Sequence, residues 1–232
     1  MKIHVGTSGF SYKEWKGPFY PEDLKNADML AYYAERLPSV EINNTFYRMP
    51  KKEVLASWAS QVPDHFRFAI KASRRITHIK RLKEPVEETG YLLDNLAALG
   101  EKLGVVLFQL PPNLKKDLER LEKFLALLDR RVPAAFEFRN ETWEDEDVVA
   151  CLEADGAALV AAETEEGGEP ALRATAPFGY LRLRRPDYDE AALRAWRTKL
   201  EALPWSDAFV FFKHEDEGAG PRMASEFLSL AC

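Results

Sequence analysis

Apolar residues recur along this chain in two rhythms, every second position and every third or fourth. The switch between them separates strand from helix. Alternating or continuous apolar runs predict strands at Ile3–Ser8, Val40–Phe46, Phe66–Ala72, Val105–Leu110, Ala135–Arg139, Ala158–Glu163, Gly179–Arg184 and Ala208–His214. Amphipathic helical stripes lie between them. Met29, Leu30, Tyr33 and Leu37 follow Asn26, and Leu92, Leu96, Leu99 and Leu103 form a helix with Gly104 as its stop. Leu118, Leu121, Phe124, Leu125 and Leu128 follow Asp117, and Leu193, Trp196, Leu200 and Leu203 run from Asp189 to a stop at Pro204. Shorter stripes are Val54/Leu55/Trp58, Val148/Val149/Leu152 and Met223/Phe227/Leu230.

Strict strand–helix alternation predicts an α/β protein with a parallel sheet, because parallel neighbours need long crossover connections. Eight units in 232 residues average about 29 each, which fits a closed (β/α)8 barrel of the TIM type. An open doubly wound sheet is the competitor, but the chain has no G-x-G-x-x-G or G-x-x-x-x-G-K-[ST] phosphate turn. Only the short stretch Thr164 to Phe178, with Gly167-Gly168 and two prolines, separates strands six and seven. A reduced or missing sixth helix is therefore expected. No repeat or linker divides the sequence, so residues 1–232 read as one barrel domain.

Composition agrees. Hydrophobic residues make up 46% of the chain, with 14 Phe, 8 Tyr and 5 Trp, enough for a sizeable core and too many for disorder. No run reaches the ~18 to 20 apolar residues that span a bilayer, and Met1–Gly6 has no apolar signal core. Cys151 and Cys232 are too few for a disulfide framework or a thiolate zinc site and read as inert thiols of a cytoplasmic protein. The net charge of −6 has no acidic or basic block, which argues against a general nucleic-acid coat. No helical face is apolar beyond what a core requires, so the oligomeric state is not legible.

Chemistry in such a barrel sits at the carboxyl ends of the strands. Strand alternation turns Glu41 and Asn43 inward on strand two, Lys71 on strand three, Gln109 on strand four, Glu137 and Arg139 on strand five, and Tyr180, Arg182 and Arg184 on one face of strand seven. Lys213 and His214 reach the rim. Glu41, Lys71, Glu137, Arg139, Arg182 and Arg184 give the mouth four cations and two carboxylates. Buried charges must pair or await a ligand. Pairing Glu137 with Arg139 and Glu41 with Lys71 leaves two arginines for an anion. The alternative is a structural salt-bridge network filling a polar barrel.

Glu41 and Glu137 are candidates for an acid–base couple, and His78, in the loop after strand three, for a proton shuttle. His4 and His65 lie at strand starts, the opposite rim, and read as structural. With four scattered histidines and no H-x-x-x-H or H-x-H, no metal ligand set is expected, although Glu41, Glu137 and His78 or His214 would serve a divalent ion if they converged. Phe10, Tyr12, Trp15, Phe19 and Tyr20 crowd the first loop, and Trp143 follows strand five. Such aromatics either stack on a ligand ring or close the mouth.

The motifs resemble a known family. Val5-Gly6-Thr7-Ser8-Gly9-Phe10-Ser11-Tyr12 with Trp15, Gly17 and Phe19-Tyr20-Pro21 is similar to the opening of the YecE-like domain-of-unknown-function family, number seventy-two. Val40-Glu41-Ile42-Asn43 with Thr45-Phe46-Tyr47, Lys71-Ala72-Ser73 with Thr77-His78, Leu107-Phe108-Gln109-Leu110-Pro111-Pro112, and Glu137-Phe138-Arg139 with Trp143 resemble its later signatures. The resemblance covers the whole chain and implies a TIM-type barrel with no established reaction. It breaks late: Arg182-Leu183-Arg184-Arg185 stands where the family usually reads Arg-x-His-Gly, and Lys213-His214 where it reads Asn-Asn. Both departures add positive charge to the mouth.

These residues predict an enzyme for a small anionic, phosphorylated or sugar-like substrate. Glu41, Glu137 and His78 would handle protons, and Arg139, Arg182 and Arg184 would hold the anion. Tyr12, Asn43, Lys71, Gln109 and Trp143 complete the expected substrate lining, and no cofactor is required. The alternatives are a metal-assisted phosphodiesterase or nuclease and a non-catalytic nucleotide or nucleic-acid binder. Nucleic acid is the less favoured partner, and no membrane contact is expected.

Overall fold

The computed structural model describes residues 1–163, 168–214 and 216–230. Its elements are β1 (Lys2–Ser8), α1 (Met29–Ala34), β2 (Ser39–Ile42), α2 (Lys52–Ser60), β3 (Arg67–Lys71), α3 (Val86–Leu96), β4 (Leu103–Gln109), α4 (Leu118–Leu128), β5 (Ala134–Glu137), α5 (Glu146–Asp155), β6 (Ala158–Ala162), β7 (Phe178–Leu183), α6 (Glu190–Glu201), β8 (Asp207–Phe212) and α7 (Ala219–Ser229). The eight strands pair in sequence order, all parallel, and β8 closes on β1 from Lys2↔Asp207 to Thr7↔Phe212. This is the (β/α)8 barrel that the alternation predicts. Residues 168–177 carry neither strand nor helix, so the sixth unit has no helix among its described residues; Thr164–Gly167 lie outside them.

Local sequence explains most boundaries. The Asp117 carboxylate accepts from the Arg120 amide to open α4, and Asp189 does the same for Ala192 in α6. Asp129 closes α4 in the left-handed region at φ 51°. One expected helix is shorter than its leucine spacing suggests. α3 ends at Leu96, a 3-10 stretch runs from Ala97 to Lys102, and Leu103 already belongs to β4. Gly104 therefore lies inside a strand rather than at a helix end. A Cβ there would sit 2.7 Å from the Phe209 ring, so glycine makes room for that ring inside the barrel.

Alternation along each strand builds two apolar layers. Outward residues such as Val40, Phe68, Phe108, Phe136, Leu181 and Val210 pack under the helices. Inward residues fill the barrel, with Ala69, Val105, Leu107 and Ala135 facing Tyr180, Phe209 and Phe211. Below them the His4 ring stacks on Phe209 at 4.7 Å and its Nε2 contacts the Asp207 carboxylate at 2.8 Å. His4 thus serves the amino-terminal rim, as expected. The first-loop aromatics turn to packing as well: Trp15 and Tyr20 are fully buried, against Tyr12, Phe19 and Tyr32. No helix among the described residues is long and apolar enough to cross a membrane. Cys151 is half-buried and free, with its thiol pushed up by burial and nearby carboxylates; Cys232 lies outside the described residues.

Candidate active site at the carboxyl mouth of the barrel

Above the apolar filling, the last inward positions of the strands are polar: Ser8 on β1, Glu41 on β2, Lys71 on β3, Gln109 on β4, Glu137 on β5 and Arg182 on β7. Their backbone positions follow from strand pairing, so the side chains meet without any loop rearrangement. Glu41, Glu137 and Arg182 are 0%, 3% and 2% exposed. At that depth each charge requires partners.

Arg182 supplies them. One guanidinium nitrogen donates to Glu41 Oε1 at 2.8 Å and the other to Glu137 Oε2 at 2.7 Å, and Arg184 donates to Glu137 Oε1 at 3.0 Å. Glu41 also accepts from the Ser8 hydroxyl (2.6 Å), the Asn43 amide (2.9 Å) and the Tyr180 hydroxyl (2.6 Å). Glu137 also accepts from Gln109 Nε2 at 2.9 Å. Burial alone would raise both carboxyl pKa values. The Arg182 charge and these bonds outweigh it, leaving Glu41 at about 2, and with Arg184 they hold Glu137 below the usual carboxylate range. Both glutamates are fixed anions at neutral pH.

The expected pairing differs. Glu41 and Glu137 pair with Arg182 and Arg184, so of the expected mouth cations Lys71 and Arg139 have no carboxylate partner among the described residues. Lys71 is half-buried, and its Nζ donates to Gln109 Oε1 at 2.9 Å and lies 4.5 Å over the Phe46 ring. The amide of Gln109 is oriented by Glu137: with Nε2 donating to that carboxylate, its oxygen must face Lys71. Burial, then repulsion from Arg182, lowers the Lys71 pKa to about 8. His78 stands edge-on to the same Phe46 ring at 4.8 Å, in a single π-helical turn over Arg75–Ile79. Its Nδ1 lies 2.9 Å from the Thr77 hydroxyl. Burial and the Lys71 and Arg139 charges lower the pKa of His78, so it is neutral at pH 7.

The remaining expected residues divide. Arg139 lies beyond the end of β5, exposed and unpaired among the described residues, beside a groove of about 930 Å3 that Phe138, Trp143, Leu159 and Arg173 also line. The Trp143 ring is buried, stacks on Phe138 at 4.5 Å and donates its N–H to the Leu114 carbonyl, so it braces the loops. The Tyr12 hydroxyl donates to the Ser8 carbonyl at 2.6 Å. Lys213 is exposed, and His214 engages the Arg185 carbonyl and lies beside Tyr188, not among the glutamates.

Three further participants have no role assigned from the sequence, although alternation already places Tyr180 beside Arg182 and Arg184 on strand seven. Ser8 and Tyr180 were on the inward faces of their strands and stand out only once Glu41 is seen between them. Glu163, 2% exposed just past β6, accepts from the amides of Arg184 and Arg185 and from the Tyr188 hydroxyl, and so fixes the turn that carries Arg184. Its signal was an acid at the carboxyl end of a strand. Among the described residues no three His, Cys, Asp or Glu side chains are grouped to hold a metal ion. Arg182 lies between the two glutamates, where a divalent cation would meet its charge.

The same assembly of strand ends carries the sequence signatures of a family. The model of "Protein of unknown function DUF72" matches residues 4–232. The chain belongs to the DUF72 family. This DUF72 chain is 24% identical to UPF0759 protein YunF of Bacillus subtilis, over 98% of the chain and 94% of YunF. It is 28% identical to UPF0759 protein YecE of Escherichia coli over a shorter stretch, 60% of the chain and 48% of YecE. Among solved structures it is similar to a DUF72 protein from Thermotoga maritima, with TM-score 0.85 and 27% identity over 99% of both chains. A DUF72 protein from Enterococcus faecalis shares the fold, with TM-score 0.81 and 21% identity over 99% of this chain and 96% of that one.

Proposed function

We propose that this DUF72 protein is an enzyme that binds a small anionic substrate, phosphorylated or sugar-like, at the carboxyl mouth of its barrel. The observation that supports this reading is the charge left over after pairing. Glu41 and Glu137 neutralise Arg182 and Arg184, and Lys71 remains, half-buried, facing an amide oxygen and the Phe46 ring with no carboxylate partner among the described residues. Exposed Arg139 adds a second free cation whose charge is felt at His78. A half-buried ammonium without a counterion is a poor choice for stability and a good one for an anion.

The roles follow from the geometry. Lys71 and Arg139 attract the anion, and Arg184, just past the end of β7, keeps its Nε without an acceptor among the described residues. Glu41 and Glu137 do not carry protons. Each is an ionised anchor that aims Arg182, and Glu137 also aims Lys71 through Gln109. Proton handling falls to Lys71, with its pKa at about 8, and to His78, whose pKa burial and the neighbouring cations lower.

Calorimetric titration with inorganic phosphate and with acetate, against uncharged glycerol, tests the reading. Phosphate is expected to bind the wild-type protein and to lose at least about tenfold in affinity in Lys71→Met, the cost of one charge-assisted hydrogen bond. Absence of any heat with phosphate or acetate, or equal affinity in Lys71→Met, overturns it.

A further inference from the structure

Lys71 differs from the paired arginines of the mouth in what it faces. Arg182 and Arg184 point at carboxylates, which hold a cation charged. Lys71 points at the neutral oxygen of Gln109, locked in that orientation by the Gln109–Glu137 bond, with Phe46 beneath it. A carboxamide at this place accepts a hydrogen bond without neutralising the ammonium. The Phe46 ring favours the charged form, but burial and the neighbouring Arg182 charge oppose it more strongly. Lys71 is also the last residue of β3, at the carboxyl end of the strand, which is where reacting groups of this architecture stand. His78 stands edge-on to the same Phe46 ring at 4.8 Å.

We propose that Lys71 is a nucleophile: its amine condenses with the carbonyl carbon of a small anionic aldehyde or 2-oxo acid to form an imine. This deepens the anion-binding reading of the mouth and rests on it. The free amine attacks the carbonyl carbon through its lone pair, and the carbon–oxygen π pair moves to oxygen. The proton that nitrogen sheds passes through water to the alkoxide oxygen, which completes the neutral carbinolamine. A proton from solvent then takes the hydroxyl out as water while the nitrogen lone pair forms the carbon–nitrogen double bond, and the iminium nitrogen gives one proton back to solvent. One amine and one carbonyl give one imine and one water, and no oxidant or reductant takes part. The substrate's anionic group lies toward Arg139 and Arg184. At pH 7, a pKa of about 8 leaves on the order of a tenth of Lys71 as free amine, whereas Lys116 and Lys123 are held charged by their carboxylate partners.

Reductive trapping decides. The wild-type full chain is incubated with pyruvate and sodium cyanoborohydride, digested, and its lysines compared by mass spectrometry. Lys71 is expected to carry the reduced adduct at least about tenfold more than Lys116 or Lys123 at pH 7, with a rate that levels off above about pH 8 while theirs keeps climbing. Excess phosphate is expected to suppress the label, and acetone, an uncharged ketone, to label Lys71 far less. Lys71 left unmodified, or modified no more than Lys116, overturns the nucleophile. If phosphate still binds by calorimetry in that case, the anion site stands and only the imine has fallen. Equal labelling by acetone and pyruvate overturns the anionic substrate class instead.

Discussion

Arg182 carries the electrostatics of the mouth. Its guanidinium bridges two carboxylates from opposite sides of the barrel, and all three groups are nearly inaccessible to water. Such a triad gains little net stability over an apolar filling, but removing its central cation leaves two desolvated carboxylates facing each other. Arg182→Met is therefore expected to cost about 3–5 kcal/mol, read from urea unfolding. Arg184→Met should cost less, because Arg184 is less buried and bonds only Glu137. Equal losses from the two would contradict this ranking. The inward identity of Glu41, Glu137, Arg182 and Lys71 was legible from strand alternation. Their pairing was not, because Glu41 and Arg182 are 141 residues apart in sequence and meet only across the barrel axis.

At the scale of elements, boundaries depart from the hydrophobic pattern where strand and helix both bury the same residues. Leu99 and Leu103 fit a helical stripe with Leu92 and Leu96, yet Gly100 breaks the helix with φ 53° and ψ −134°, and Leu103 begins β4. Periodicity cannot see that break, since both structures bury leucine. Glycines that look alike in sequence separate here. Gly104→Ala forces a methyl group against the Phe209 ring and the Arg67 side chain and should cost about 1–3 kcal/mol. Gly90→Ala, in α3 with open space around its Cβ, should gain about 0.5–1 kcal/mol. Thermal melts of the two variants are expected to shift in opposite directions; shifts of one sign would refute the placement of Gly104. The strands also stop earlier than their apolar runs. β2 ends at Ile42, β5 at Glu137 and β7 at Leu183, which puts Asn43, Arg139 and Arg184 on the loops that line the mouth.

The whole molecule carries a net charge of −6, while its mouth holds cations in excess of the glutamates that face them. That arrangement sets its response to acid. Glu41 is at about 2, and Glu137 and Asp207 also lie below their ordinary values. Groups with depressed folded-state pKa values contribute stability above their unfolded pKa, near 4, and lose it as pH falls through the folded value. The thermal midpoint, followed by circular dichroism, is expected to hold from pH 7 to about 5 and to fall steeply between about pH 4 and 2. A midpoint constant down to pH 3 would mean that these carboxylates are not the stabilising anions described.

Taken alone, the chain's two apolar rhythms determine eight strand–helix units, a shortened sixth crossover and the list of polar side chains at the strand ends. Those features depend on near neighbours in sequence, where a period of two or 3.6 is enough to assign a face. Only the closed barrel decides which charges meet. Closure brings β2 and β5 to within a guanidinium's span of β7, gives both glutamates to Arg182, and leaves Lys71 facing an amide. Electrostatic partnership follows distance and burial in three dimensions, and one strand's pattern carries information about neither.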